Sequence, residues 1–190
     1  VVLPTDTLYG LCASAFNADA IDRIYDLKQR DPEKPLIVLI SDIAQLEQFG
    51  VVVSAELEER LRAYWPGSYS IILPTIDEQF EYIHRGANSI AFRYPDNQEL
   101  LDLIAQTGPI VAPSANPEGM RPAGNIEEAR AYFGTDVDYY VEGEELRGKP
   151  STLISFDGDD VIMTACISSA SASISRPRAW KSRAVIALTT

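Results

Sequence analysis

Cysteine, histidine and long apolar runs are scarce in this chain of 190 residues, and each scarcity excludes a class of protein. Cys12 and Cys166 are too few for a disulfide framework and form no Cys-x-x-Cys pair, which favours a reducing compartment and predicts the cytoplasm. His84 is the single histidine, and we interpret it as a surface residue in a polar loop without a catalytic triad around it. No apolar run reaches the ~20 residues of a membrane-spanning helix, so no membrane association is expected.

Positive charge is also scarce, because 16 Lys and Arg stand against 28 Asp and Glu and give a net charge of −12. Nucleic-acid-binding proteins usually present a basic surface, so this balance argues against a general polyanion binder. The glycines form neither a Walker loop nor a GxGxxG fingerprint, and no metal-ligand cluster is recognisable. A small phosphate ligand can still bind where a few cations converge, and the position of each cation therefore matters.

Strands and helices alternate over most of the chain, which predicts the α/β class, with a single twisted mixed or parallel sheet and flanking helices. Strands are predicted at residues 1–4, 36–40, 69–74, 89–94, 110–112, 138–141, 151–156 and 161–167. Helices are predicted at residues 18–28, 42–49, 55–64, 97–106 and 126–133, with Asn17, Ser41 and Ser54 as caps of the first, second and third. Residues 5–10 are predicted as a turn and residues 75–87 as a polar loop.

The whole of residues 1–167 is predicted to form one domain, because no linker interrupts it. The chain begins directly on a strand without a lead-in, and we therefore expect that an N-terminal segment is missing. Residues 168–190 are rich in serine and then in basic residues, which predicts a divergent, flexible tail.

Two cations stand at the predicted end of the first helix. Lys28 and Arg30 cannot share one face of a continuous helix, so both reach one ligand only if the helix ends between or just after them. Asp31-Pro32 supplies such a stop. The pair would suit a phosphate chain near Thr5, although cations also favour the last turn of a helix through its dipole.

Three further polar residues or pairs occur at strand ends. Ser114 and Asn116 follow a short strand and either position a ligand or form an ordinary turn. Arg93 ends another strand, where its guanidinium either binds a carboxylate or pairs with a surface acid. Ser151 begins a strand and is unremarkable alone.

Six motifs occur in a fixed order along the first 152 residues. They are PTDTLYGL at 4–11, KQR at 28–30 with KPL at 34–36, WPG at 65–67, AFRYP at 91–95, PSAN at 113–116 and ST at 151–152. Together they resemble the YrdC/Sua5/TsaC family of L-threonylcarbamoyladenylate synthases. The resemblance implies a YrdC/RibB-like α/β domain with a concave ligand site.

The family resemblance also implies an activity. Members are nucleotidyltransferases that join L-threonine, bicarbonate and ATP into threonylcarbamoyl-AMP and release pyrophosphate, for the t6A37 modification of tRNA. Mg²⁺ is expected to arrive with ATP, and no metal ligands are expected from the protein. Downstream threonylcarbamoyl-transferase proteins are expected partners, whereas the net charge does not favour direct tRNA binding. The resemblance implies that catalysis and ATP binding depend on Lys28, Arg30, Ser114 and Asn116. It implies that threonine is bound by Thr5, Arg93 and Ser151.

Some positions depart from the family pattern. Glu118-Gly119 stands where Ser-Gly is frequent, and residues 161–165 lack the Arg-x-Gly of the family, with Arg176 as a displaced candidate. These departures predict weakened activity. The alternative function is an RNA-binding or ribosome-associated module of the same fold without catalysis. A third, the carbamoyl-transfer domain of a hydrogenase-maturation protein, requires zinc-finger cysteines that this chain does not supply.

Overall fold

A computed structural model describes residues 1–75 and 77–166 of the chain. The strands of these residues are β1 (Val2–Pro4), β2 (Tyr9–Leu11), β3 (Ala13–Ser14), β4 (Ile37–Leu39), β5 (Tyr69–Pro74), β6 (Ser89–Arg93), β7 (Ile110–Val111), β8 (Thr152–Asp157) and β9 (Asp160–Cys166). Their α-helices are α1 (Ala18–Lys28), α2 (Ala55–Arg62), α3 (Glu81–His84), α4 (Gln98–Thr107) and α5 (Ile126–Phe133). Short 3-10 helices span Ile43–Phe49 and Glu78–Phe80.

Seven strands form one mixed sheet in the order β3-β7-β4-β6-β5-β8-β9. β4 runs parallel to β6 and β5 runs parallel to β8, whereas the other neighbours are antiparallel. All five residues of β6 are buried, as expected of a strand that is covered on both faces. The predicted α/β class with a mixed sheet and flanking helices is therefore confirmed, although the structure adds a second, two-stranded sheet.

The first strand does not belong to this sheet. β1 pairs with β2 as a separate antiparallel hairpin, so the prediction of a turn over residues 5–10 was wrong at Tyr9 and Gly10, which belong to β2. The turn is shorter because the Thr5 hydroxyl donates to Leu8 O at 2.7 Å and accepts the N–H groups of Thr7 and Leu8. β2 in turn holds the 113–116 loop, since Leu11 N donates to Pro113 O and Ala115 N donates to Tyr9 O.

Local capping signals set the ends of α1. The Asn17 side chain accepts the N–H of Ala20, as the sequence predicts. The helix ends at Lys28 because Gln29 adopts a left-handed conformation with φ 49°, and its N–H bonds to Asp26 O. The predicted boundary is confirmed, but the stop is Gln29 and not Asp31-Pro32.

Other predictions need correction. Residues 43–49 form a 3-10 helix that Asp42 caps, not an α-helix capped by Ser41. The segment predicted as a polar loop contains α3, and residues 138–141 form only an isolated bridge between Val2 and Tyr140. The predicted tail, residues 168–190 with Arg176, lies outside the described residues.

Two apolar clusters make up the core of the described residues. The larger contains Phe49, Phe80 and Phe92, whose rings are in contact, and the smaller contains Leu39, Leu100 and Ile104. His84 is also buried at the end of α3, so its prediction as a surface residue was wrong. Cys12 is buried, and burial raises the pKa of its thiol to about 12. Among the described helices, none is both long and apolar enough to cross a membrane.

Candidate functional site

A cavity of about 480 Å³ lies where the β1–β2 hairpin, the end of α1 and the 113–125 loop meet. Every site residue implied by the sequence lies on its wall. These residues are Thr5, Lys28, Arg30, Arg93, Ser114, Asn116 and Ser151. The fold thus brings together side chains from opposite ends of the chain, although their roles remain predictions.

Lys28 lies at the buried floor of the cavity. Its side chain is almost fully enclosed, and its Nζ donates to the backbone oxygens of Ser114 and, at 2.6 Å, Asn116. Burial, together with the nearby Arg30, lowers the pKa of the Lys28 ammonium to about 7. The side chain of Lys28 therefore joins the end of α1 to the loop after β7. Its ammonium group has a pKa near neutral pH.

Ser114 and Asn116 are bonded to each other. The Ser114 hydroxyl donates to Asn116 Oδ1 at 2.6 Å, and Asn116 Nδ2 donates to the backbone oxygens of Pro117 and Met120 at 2.9 and 2.8 Å. These bonds fix the direction of both side chains and shape the following loop. Both interpretations from the sequence are compatible with this geometry, because the pair forms a turn and also faces the cavity.

Arg30 reaches the cavity because of the left-handed Gln29. The chain reverses there, and Arg30 Nη2 donates to Pro35 O at 3.0 Å. Burial lowers the pKa of the Arg30 guanidinium below its usual range. The helix does end between Lys28 and Arg30, which was the condition for both cations to face one ligand.

Glu118 ties the two cation-bearing segments together and was missed as a site residue. Its carboxylate pairs with Lys34 and accepts the N–H of Asp31 at 2.7 Å. Its own N–H donates to Lys28 O, also at 2.7 Å. The acidic residue that the sequence analysis noted as a departure therefore has a structural role in the wall.

Arg93 forms a buried ion pair with Asp6. The two atoms Nη2 and Oδ1 lie 2.9 Å apart, and both side chains are 6% exposed. Burial raises the pKa of the Asp6 carboxyl despite the opposing effect of Arg93. Arg93 Nε has no hydrogen-bond partner among the described residues, so Asp6 leaves one buried donor of this guanidinium unsatisfied. The partner of Arg93 is thus a buried acid, which the sequence analysis did not identify.

Two hydroxyls complete the floor. The Thr5 hydroxyl is used in its own turn, and the Ser151 hydroxyl lies 2.9 Å from that of Ser70. Ser70 was not predicted as part of the site. It reaches Ser151 because β5 and β8 run parallel as neighbours, and this pairing carries no local signal in the sequence.

Residues 142–150, which we call the strap, form one wall of the cavity without regular structure. Leu146 N donates to Gly124 O at 2.7 Å, and the Tyr9 hydroxyl donates to Glu144 O at 3.2 Å. Gly148 lies so close to the hairpin that a Cβ there would be 2.4 Å from Thr7 O. The glutamates of the strap are exposed, and the role of the segment as a wall of the cavity was missed in the sequence.

Comparisons with known proteins agree with the motifs. The profile of the Sua5/YciO/YrdC family, described as telomere recombination, matches residues 1–164. The threonylcarbamoyl-AMP synthase of Bacillus subtilis is 40% identical over 145 residues, which cover 75% of this chain and 41% of that protein. The synthase of Halorhodospira halophila is 34% identical over 144 residues, which cover 75% of each protein.

A solved structure shares the fold. The crystal structure of Pyrococcus abyssi Sua5 complexed with L-threonine has a TM-score of 0.78 and 31% identity, covering 86% of this chain and 48% of that one. The chain spans less than half the length of the relatives from B. subtilis and P. abyssi. By its profile match, its identity to these proteins and its fold, the chain belongs to the Sua5/YciO/YrdC family.

Proposed function

We propose that this chain carries the active site of a threonylcarbamoyl-AMP synthase, a nucleotidyltransferase that acts on L-threonine, bicarbonate and ATP. The observation that carries the proposal is the convergence of Lys28, Arg30 and Arg93 on one cavity, together with the hydroxyls of Ser114 and Ser151. The names of the relatives and the threonine bound to P. abyssi Sua5 support it. No observation on the described residues favours the non-catalytic alternative.

The proposed reaction needs no protein nucleophile. The amine of threonine attacks the carbon of bicarbonate and forms a carbamate, with loss of water. A carbamate oxygen then attacks the α-phosphorus of ATP, the bond to the bridging oxygen breaks, and pyrophosphate leaves. Holding the reactants together and facing the developing charge with cations supplies the catalysis.

The cations have separate roles in this proposal. Lys28 and Arg30 would face the phosphates, where anionic oxygens replace the backbone oxygens that now accept their hydrogen bonds. Arg93 would bind the carboxylate of threonine through the part of its guanidinium that Asp6 leaves free. The hydroxyls of Thr5 and Ser151 would orient the amino acid.

Magnesium fits this site only as a companion of the nucleotide. Among the lining residues, the single carboxylate is that of Glu118, and it is paired with Lys34. The wall therefore offers no carboxylate cage, and we propose that Mg²⁺ is held through the phosphates of ATP. The product would pass to a threonylcarbamoyl-transferase that modifies tRNA, in the cytoplasm.

Release of pyrophosphate tests the proposal. We expect wild type to release it from ATP only when both threonine and bicarbonate are present. Lys28→Met should lower kcat/KM by on the order of 100-fold, because a cation that faces the developing charge is lost. Arg62→Ala, which removes an exposed cation of α2, is the matched control and should be unchanged. A folded wild type that releases no pyrophosphate with all three substrates would contradict the proposal.

A further inference from the structure

The cavity has a buried floor and an exposed mouth. Lys28 and Arg93 at the floor are 2% and 5% exposed, whereas Met120 at the mouth is 53% exposed and its neighbours Gly119 and Arg121 are also exposed. A ligand that enters must pass the mouth, and any leaving group must return through it. The two ends of the cavity therefore have different tasks.

Most cations on the wall already have protein partners. Lys28 and Arg30 donate to backbone oxygens, Arg93 pairs with Asp6, and Arg147 pairs with Glu145. Arg121 is different, because its guanidinium forms no hydrogen bond and no ion pair with any residue that the structure describes. Arg121 lines the cavity, and its positive charge has no counter-ion among the described residues.

The backbone of Arg121 is nevertheless held in place. The Tyr132 hydroxyl of α5 donates to Arg121 O at 2.9 Å. The residue before it is fixed by the bond from Asn116 Nδ2 to Met120 O, and Ala123 N donates to Ala115 O at 3.1 Å. A fixed backbone with an unpaired guanidinium reduces the ordering that an anion would have to impose on binding.

We propose that Arg121 binds the β- and γ-phosphates of the nucleotide, and then the pyrophosphate that leaves. This inference rests on the proposed function. If the carbamate forms at the floor between Thr5, Arg93 and Ser151, the α-phosphorus must approach that floor. The two distal phosphates then extend toward the mouth, where Arg121 is the one cavity-lining cation of the described residues without a hydrogen bond or an ion pair to the protein.

The negative net charge of the chain makes the positive charge of Arg121 important for binding a polyphosphate. A net charge of −12 repels a polyphosphate at long range, so a local cation at the entrance is needed to offset that repulsion. Arginine suits this task, because its planar fork can bind two phosphate oxygens at once. A purine could instead stack on the same guanidinium, and the experiment separates the two contacts.

The test uses calorimetry on the whole chain with two probes, inorganic tripolyphosphate and AMP. Arg121→Ala should bind tripolyphosphate about tenfold more weakly than wild type, while its affinity for AMP stays within about twofold. Arg121→Lys should recover part of the loss. Arg62→Ala removes an exposed positive charge outside the cavity and serves as the control, with both affinities unchanged.

Three results would overturn the inference. They are unchanged tripolyphosphate affinity in Arg121→Ala, an equal loss for AMP, which would indicate stacking on the base, and no binding of tripolyphosphate by wild type. Threonine-dependent release of pyrophosphate is measured separately. A wild type that binds tripolyphosphate through Arg121 without turnover would contradict the proposed function alone, whereas an active enzyme indifferent to Arg121→Ala would contradict only this inference.

Discussion

Lys28 is a buried lysine with a pKa of about 7, and this value has a measurable consequence. At pH 8 most of the free protein holds Lys28 neutral. Phosphates nearby favour the charged form, so binding of ATP should take up a proton, about one per site at pH 8 and little at pH 6. The affinity for ATP should accordingly fall as the pH rises above about 7.

Calorimetry in two buffers of different ionisation enthalpy measures this uptake. Lys28→Arg is the matched variant, because arginine stays charged and should take up no proton at pH 8. Equal proton uptake by wild type and Lys28→Arg would show that another group titrates.

Asp6 makes a prediction about stability. Asp6→Asn leaves the buried charge of Arg93 without its counter-ion, so we expect a loss of about 3 kcal/mol in the free energy of unfolding, measured with urea. The control is Asp22→Asn, which breaks the pair with Arg85 on a side chain that is 63% exposed. That change should cost less than about 1 kcal/mol. Similar losses for the two variants would mean that burial does not determine how much the Asp6–Arg93 pair contributes to the free energy of unfolding.

The strap is the element that a single methyl group should disturb most. Gly148→Ala places a Cβ 2.4 Å from Thr7 O, so the strap must move away from the hairpin. We expect kcat/KM for the proposed formation of threonylcarbamoyl-AMP to fall by on the order of 100-fold, because a wall displaced by an ångström misplaces the reactants.

Lys149→Ala is the neighbouring control for the strap, since Lys149 is exposed and does not line the cavity. Its kinetics should match those of wild type. Normal kinetics in Gly148→Ala would show that the contact between strap and hairpin is not needed.

Elements with strong local signals were predictable from the sequence. α1 and α5 begin after Asn17 and Asn125, whose side chains cap them, and their predicted boundaries agree with the structure. β2 was missed because three residues are too few to show a period, and its partners are β1 and the loop at 113–115. Residues 138–141 have the pattern of a strand, but a single bridge to Val2 is their only pairing in the described chain.

The same division applies to the site. Lys28 and Arg30 stood out as a possible pair because their spacing and the end of the helix are local features, but their assignment to the site came from the family resemblance. The Asp6–Arg93 pair, the contact of Glu118 with Lys34 and the strap join segments that are distant in sequence, and no local pattern specifies such contacts. The cavity was therefore foreseeable as a set of side chains, whereas the bonds among those side chains were not.

For the whole molecule, the net charge governs which polyanions bind. A chain with a net charge of −12 should not retain tRNA at about 0.15 M salt, because phosphate contacts by cations supply most of the affinity in such complexes. Fluorescence anisotropy with labelled tRNA, up to about 10 μM protein, checks this expectation. Binding whose affinity falls steeply with added salt would contradict it and would favour the RNA-binding alternative.

The engaged cations at the floor also determine how the site discriminates among anions. Lys28 and Arg30 are each held by backbone oxygens of the protein, so an incoming anion must displace those oxygens. A lone chloride or inorganic phosphate has too few acceptors to replace them all and gains little by entering. A molecule with several anionic groups in the right places can replace all of these partners at once, so the site favours such a molecule over the small ions that surround it in the cell.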